Sequence, residues 1–179
     1  MKQVRLSGFG GQGVVLAGVL LGQAGVKEGK HIAGSDSYGV QARGSGCKSE
    51  IVFSDGPINY PHLIIADILV AMSQEAYNLY SENVKEGSGI ILYDEGLVKP
   101  RPELKVRQVG VPATETAVKK LRNKQVANIV ILGALVETTK IVSAKALQKA
   151  IALHINERFR KLNLKAFGLG MELGKKNRG

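Results

Sequence analysis

One cysteine, Cys47, and no tryptophan occur among the 179 residues. A single thiol can neither close an internal disulfide nor hold an iron–sulfur cluster, so a disulfide-stapled fold is excluded and a reducing, cytoplasmic setting is expected. A catalytic thiol at Cys47 is the weaker reading. His31, His62 and His154 stand far apart without metal-ligand spacing, so no metal site is predicted. No stretch approaches the roughly 18 apolar residues of a membrane span. The opening "MKQVRLSG" lacks a basic region followed by a long apolar core, so no secretory signal is expected. Aromatics are few, five Tyr and four Phe, and none interleave with basic residues as a single-strand nucleic-acid binder needs.

What remains is an ordinary globular composition, 44% hydrophobic and 22% charged. The length suits one domain over 1–179, able to bury roughly 70% of its unfolded surface. The net charge of +10 favours an anionic partner: nucleic acid, a polyphosphate cofactor or an acidic subunit. The scarcity of aromatics leaves nucleic acid the poorest of the three. Part of the surplus lies in a basic tail over about 171–179, whose "GKKNRG" reads as a frayed, solvated end.

Apolar periodicity divides the chain into alternating strands and helices. "QVRLSG" alternates and then meets a glycine cluster, as a first strand does. From Gln12 to about Glu28, Val15, Leu16, Val19, Leu20 and Val26 fall at helical spacing among many small residues. Those glycines predict close packing on a sheet or a neighbouring subunit. "KHIAGSDSYG" and "CKSEIVFSDGP" read as strands joined by the glycine-broken "GVQARGSG", too short for a crossover helix, and therefore as a hairpin with a long tip. "ADILVAMS" and "SGIILYDE" are buried strands. Ser73 is expected to cap a helix over "QEAYNLYSENVKEG" with Ala76, Leu79 and Tyr80 on one side. "ELKVRQVGVPA" leads into a helix at about Thr114. Three helical stripes follow: Val126 to Val136, Ala144 to Ile151 behind Ser143, and Phe159, Leu162 and Phe167. The predicted fold class is α/β, a Rossmann-like layered domain with a mostly parallel sheet, a glycine-rich first strand-to-helix loop and a β-hairpin insertion.

"SGFGGQG" places Gly8, Gly10 and Gly13 in the G-x-G-x-x-G pattern, and Asp36 follows 23 residues after Gly13 where a ribose-binding acid stands. Glycines let a pyrophosphate approach the backbone, and a helix N-terminus attracts it. The competing reading is that they only allow close helix packing. No G-K-[ST] follows, which excludes a P-loop hydrolase. From these residues alone, an independent dinucleotide-binding redox protein and a basic binding module both stay open.

Six blocks in order resemble one family: "LSGFGGQGVVLAG", "DSYGVQARGSGCKSEIVFSD", "ADILVAMSQEAY", "VPATETA", "VANIVILGAL" and "LNLKAFGLG". Together, from Val4 to Gly170, the chain is similar to the gamma subunit of the 2-oxoacid:ferredoxin oxidoreductases, above all to the stand-alone subunits of the 2-oxoglutarate type. The resemblance implies a non-catalytic subunit of a complex that oxidatively decarboxylates a 2-oxoacid to acyl-CoA and reduces ferredoxin. It places thiamine diphosphate between alpha and beta subunits, and 4Fe-4S clusters in beta and a ferredoxin-like delta subunit. Coenzyme A is implied as co-substrate at a shared site that the glycine loop and hairpin help to form. That role passes to Gly8, Gly10, Gly11, Gln12 and Gly13, and to Ser37, Tyr38 and Arg43. For Arg43, a surface ion pair or a subunit contact competes. Where the family hairpin most often reads "SYGPEARGG", this chain has Val40, Gln41 and Ser45. The isolated chain is expected to be inactive, to bind no iron or flavin, and to dock on its partner subunits or on itself when they are missing.

Overall fold

The computed structural model describes residues 1–38, 46–60 and 63–176, without the side chain of Tyr38. Val4 and Leu6 alternate with Arg5 and Ser7 along β1 (Lys2–Phe9), which ends in the glycine turn and hands the chain to α1 (Val14–Lys27). The chain continues through β2 (His31–Tyr38), β3 (Gly46–Ser54), β4 (Ile68–Ala71), α2 (Gln74–Tyr80), β5 (Ile90–Asp94) and β6 (Arg107–Val111). It closes with α3 (Ala113–Leu121), α4 (Ala127–Thr139), α5 (Ala144–His154) and α6 (Glu157–Lys176). The six strands are ordered β2-β3-β1-β4-β5-β6. β1, β4, β5 and β6 pair in parallel, and β3 runs antiparallel to both of its neighbours. The expected hairpin is present, and β3 lies beside β1.

β4 explains why its sequence shows no alternation. Ile68 and Val70 join the core under α1 and α4, while Leu69 and Ala71 join a second cluster with Tyr77 of α2. Helices therefore cover both faces, and a strand buried on both sides has no polar position.

Helix α1 corrects the predicted apolar face. The expected start at Gln12 moves to Val14, and the buried positions are Val14, Ala17, Gly18, Leu20, Leu21, Gly22, Ala24 and Gly25. Leu16, Val19 and Val26 are exposed. The reason is proximity: a Cβ on Gly18 lies 2.0 Å from Ser49 Oγ, and one on Gly25 lies 2.6 Å from Ile32 Cδ1. Only small residues fit where this helix meets the hairpin, so Leu16, Val19 and Val26 turn outward while Leu20 and Leu21 enter the core elsewhere. The packing partner is the protein's own sheet.

Other expectations shift for similar reasons. α2 stops at Tyr80, and it buries Ala76 and Tyr77 where Leu79 was expected. α4 is buried on every side from Ala127 to Glu137, not along one stripe, because it lies between the sheet and α6. Phe159 is exposed, leaving Phe167 as the core aromatic of α6. The tail expected from Gly174 is helical as far as Lys176, and Gly174 is buried against Ala134 and Glu137 of α4. Residues 177–179 lie outside the described set.

The capping serines behave as expected. Ser73 Oγ accepts from the Ala76 N–H at 3.2 Å, and Ser143 Oγ from the Ala146 N–H at 3.1 Å. Ser143→Ala is expected to cost about 1 kcal/mol and to lower Tm by roughly 2–4 °C in a thermal melt.

Candidate functional site

The turn between β1 and α1 is built by Gln12 and two glycines of positive φ. The Gln12 N–H donates to Phe9 O at 3.1 Å, closing the turn. Its side chain then braces the turn from inside: Oε1 accepts from the Phe9 N–H at 2.6 Å, and Nε2 donates to Met72 O at 2.8 Å, at the end of β4. Gly8 is glycine for this reason, since a Cβ there meets Gln12 Oε1 at 2.4 Å. Gln12, which the resemblance places at the coenzyme site, uses its side-chain amide to hold the loop.

Gly13 is the residue before the helix, at φ 72° and ψ 25° with no side-chain cap. A Cβ there lies 2.3 Å from Nδ2 of Asn128, which donates to Gly13 O at 3.0 Å. Asn128 is 2% exposed, a polar side chain in the first turn of a helix that is apolar from Ile129 to Val136. Its amide binds the turn from behind, as a second donor to the carbonyl that also accepts the first helical N–H of α1. Sequence reasoning passed over it. The signal was there, a lone amide inside "VANIVILGAL".

Gly11 differs from Gly8 and Gly13. Its φ is 92°, it is exposed, and a Cβ there meets nothing within 4 Å. Beside it, the helical ladder of α1 begins with the Ala17 N–H on Gly13 O at 3.0 Å. The N–H groups of Val14, Val15 and Leu16 have no intrahelical acceptor. No acidic residue occupies the first turn. The result is an electropositive helix end behind an open glycine turn, a geometry that accepts an anion.

The strand register sets the hairpin beside this turn. Tyr38 pairs with Cys47 and Cys47 with Gly8, so one row crosses three strands at the mouth of the loop. Ser37, exposed, lies in the next row with Lys48 and Ser7. Arg43, with Val40, Gln41 and Ser45 of the hairpin tip, lies outside the described residues, as does His62. Asp36 sits on the edge strand, two strands from β1, because β3 occupies the place beside β1. A ribose bound at the glycine turn is not met there by Asp36. Burial, and after it the negative charge of Asp36, push the Cys47 thiol above its ordinary pKa. It stays protonated and a poor nucleophile.

On the opposite face of the sheet, the base of the hairpin is tied to β1 and α2 by ions. Arg5 Nε donates to Glu50 Oε1 at 2.7 Å, Lys48 Nζ lies 3.1 Å from the same oxygen, and the Tyr80 ring covers the Arg5 guanidinium at 4.7 Å. The Arg5–Glu50 pair is almost wholly buried, so removing Glu50 strands the Arg5 charge, whereas removing Arg5 leaves Glu50 paired with Lys48. Among the described residues, no group of three or more His, Cys, Asp or Glu side chains is placed to hold a metal ion. Among them, too, no helix is long and apolar enough to cross a membrane.

Residues 3–173 match the model of the family described as pyruvate ferredoxin/flavodoxin oxidoreductase. The chain is 46% identical to the 2-oxoglutarate synthase subunit KorC of Methanocaldococcus jannaschii, over 97% of this chain and 94% of that one. Its fold matches the gamma subunit of a keto/oxoacid ferredoxin oxidoreductase from Geobacter sulfurreducens with a TM-score of 0.87 at 40% identity, covering 98% and 99% of the two chains. It also matches part of a 2-oxoglutarate:ferredoxin oxidoreductase from Magnetococcus marinus that holds 2-oxoglutarate, coenzyme A and succinyl-CoA. There the TM-score is 0.88 at 24% identity, over 98% of this chain and 31% of that one, a likeness of fold.

Proposed function

The chain belongs to the pyruvate ferredoxin/flavodoxin oxidoreductase family, as a gamma subunit of a 2-oxoacid:ferredoxin oxidoreductase, and from that premise we propose that its glycine turn binds coenzyme A for a complex acting on 2-oxoglutarate. The observation that carries the ligand reading is Gly11, an exposed residue of positive φ beside an uncapped helix end, with no protein atom near the place of a Cβ. The coenzyme carries a polyphosphate. Backbone N–H groups at a helix N-terminus bind such a group by charge-assisted hydrogen bonds of roughly 1.5–3 kcal/mol each.

In this reading Gly10, Gly11 and Gly13 give the phosphates access to the backbone. Gln12 and Asn128 keep the turn in shape before the ligand arrives, and Gly8 makes room for Gln12. Ser37, exposed in the row beside the mouth of the turn, is the hairpin contact proposed among the described residues, and the same role is proposed for Tyr38 and Arg43. The thiamine diphosphate and iron–sulfur clusters belong to the other subunits, and they supply the decarboxylation and the electron path to ferredoxin. Support for 2-oxoglutarate comes from the KorC relative, a 2-oxoglutarate synthase subunit 46% identical along nearly its whole length. The dinucleotide alternative is not favoured, because Asp36 stands a strand too far from the turn.

Reconstitution tests this directly. The alpha, beta and delta subunits, assembled with this chain, are expected to reduce ferredoxin with 2-oxoglutarate in a coenzyme A-dependent reaction. Calorimetry on the assembled complex is expected to detect coenzyme A and not NADH. NADH binding at the turn, or coenzyme A kinetics indifferent to this chain, overturns the reading.

A further inference from the structure

The net charge is not spread over the molecule. Residues 113–176, which form α3 to α6, contain thirteen Lys and Arg against four Glu, whereas residues 1–112 contain eleven basic and eleven acidic residues. The whole fold is thus a neutral sheet half carrying a strongly cationic helical layer.

Within that layer, the cations border an apolar surface. Lys145, Lys149 and Leu153 recur every four residues along α5, so they share one face of the helix. Lys27 of α1 lies against Lys145 and Lys149 around one surface hollow. At the other end of α5, a cleft of about 300 Å³ is lined by Leu16, Ile155, Phe159 and Leu162 interspersed with His154 and five amide side chains. Leu153 is 67% exposed and Phe159 49%, with the outward Leu16 and Val19 of α1 at 38% and 42%. The Arg158 guanidinium lies 5.6 Å from the Phe159 ring centroid, so a cation and the exposed aromatic act as one unit. Glu28, beside Lys27, accepts from the Ser143 N–H, and Glu157 stands at the start of α6.

We infer that the α1–α5–α6 face is the surface by which this chain docks on another subunit of its complex, and that the complementary surface presents carboxylates around apolar side chains. The inference rests on the reading of the chain as a subunit, and adds which face is used and what chemistry meets it. An apolar centre with an aromatic anchor and a charged rim is the anatomy of a protein interface. A nucleic acid fits less well, since a phosphate backbone covers no exposed Leu153 or Phe159. A second copy of this chain brings the same lysines against these, and like charges facing one another disfavour it.

The test measures the dissociation constant of the full chain for the remaining subunits, purified together, at low and high salt. Wild-type affinity is expected to fall steeply with salt, as rim charges become screened. The double variant Lys145→Glu/Lys149→Glu is expected to weaken binding about tenfold or more and to lose most of the salt dependence. Phe159→Ala is expected to weaken it about fivefold or more at both salt concentrations. Leu79→Ala, exposed on α2 across the sheet, is expected to bind as wild type. All four residues are exposed, so melting curves should stay superimposable. If wild type joins the other subunits and the α5 and α6 variants bind equally well, the face is wrong while the subunit reading stands. If wild type binds none of them, both fail. Self-association or duplex DNA binding abolished by the same substitutions also overturns the assignment.

Discussion

Gly11→Ala is expected to raise the Michaelis constant for coenzyme A about tenfold or more in the assembled enzyme, with that for the 2-oxoacid nearly unchanged. The structure makes this a cleaner probe than the other loop glycines. A Cβ on Gly11 touches no protein atom within 4 Å, so on the coenzyme reading what it obstructs is the approach of the ligand. Its φ of 92° adds backbone strain of about 1–2 kcal/mol, which is felt in Tm and not in the choice of substrate. Loss of one charge-assisted bond of roughly 1.5–3 kcal/mol corresponds to about tenfold or more in affinity. Gly13→Ala lacks this clarity: its Cβ strikes Asn128, so turn, helix start and ligand site all move together. Assembly of the variant complex is the control. Normal assembly with unchanged coenzyme A kinetics means the glycine serves the turn alone.

Gly170→Ala is expected to destabilise the protein by about 3 kcal/mol, lowering Tm by roughly 6–12 °C. The magnitude follows from how closely α6 crosses α4. A Cβ on Gly170 lies 2.0 Å from Val130 O and 3.0 Å from Gly133 Cα, and one on Gly133 lies 2.4 Å from Phe167 O. These are backbone atoms, which no rotamer change can move aside. The two helices must separate, opening the packing around Leu132, Leu135 and Phe167, all fully buried. Gly168→Ala on the same helix is the opposite case. Its Cβ meets nothing within 4 Å, and removing a helical glycine there should add about 0.5–1 kcal/mol. Equal melting temperatures for the two variants would contradict the close crossing.

Local rules were sufficient wherever the chain acts on its own neighbours. The strands, the hairpin in place of a crossover helix, and the caps at Ser73 and Ser143 follow from periodicity, glycine placement and hydroxyl chemistry over a few residues. The position of the glycine turn after β1 was legible too, because its positive φ values favour glycine.

Tertiary packing decided what each of those residues does. Val19 and Gly18 are adjacent on α1, and periodicity assigned the valine to the core; the approach of Ser49 on β3 turned the valine out and the glycine in. Gln12 was legible as part of the glycine loop, but not the reach of its amide to Met72 O, sixty residues away, which holds that loop. Asn128 reaches Gly13 from 115 residues away. Asp36 lost its ribose-binding place because β3 pairs with β1. Sequence determined the local conformations, since those depend on sterics and capping within one or two turns. Partners, faces and the concentration of charge on one layer depend on which distant elements the sheet brings together, and only the folded chain brings them together.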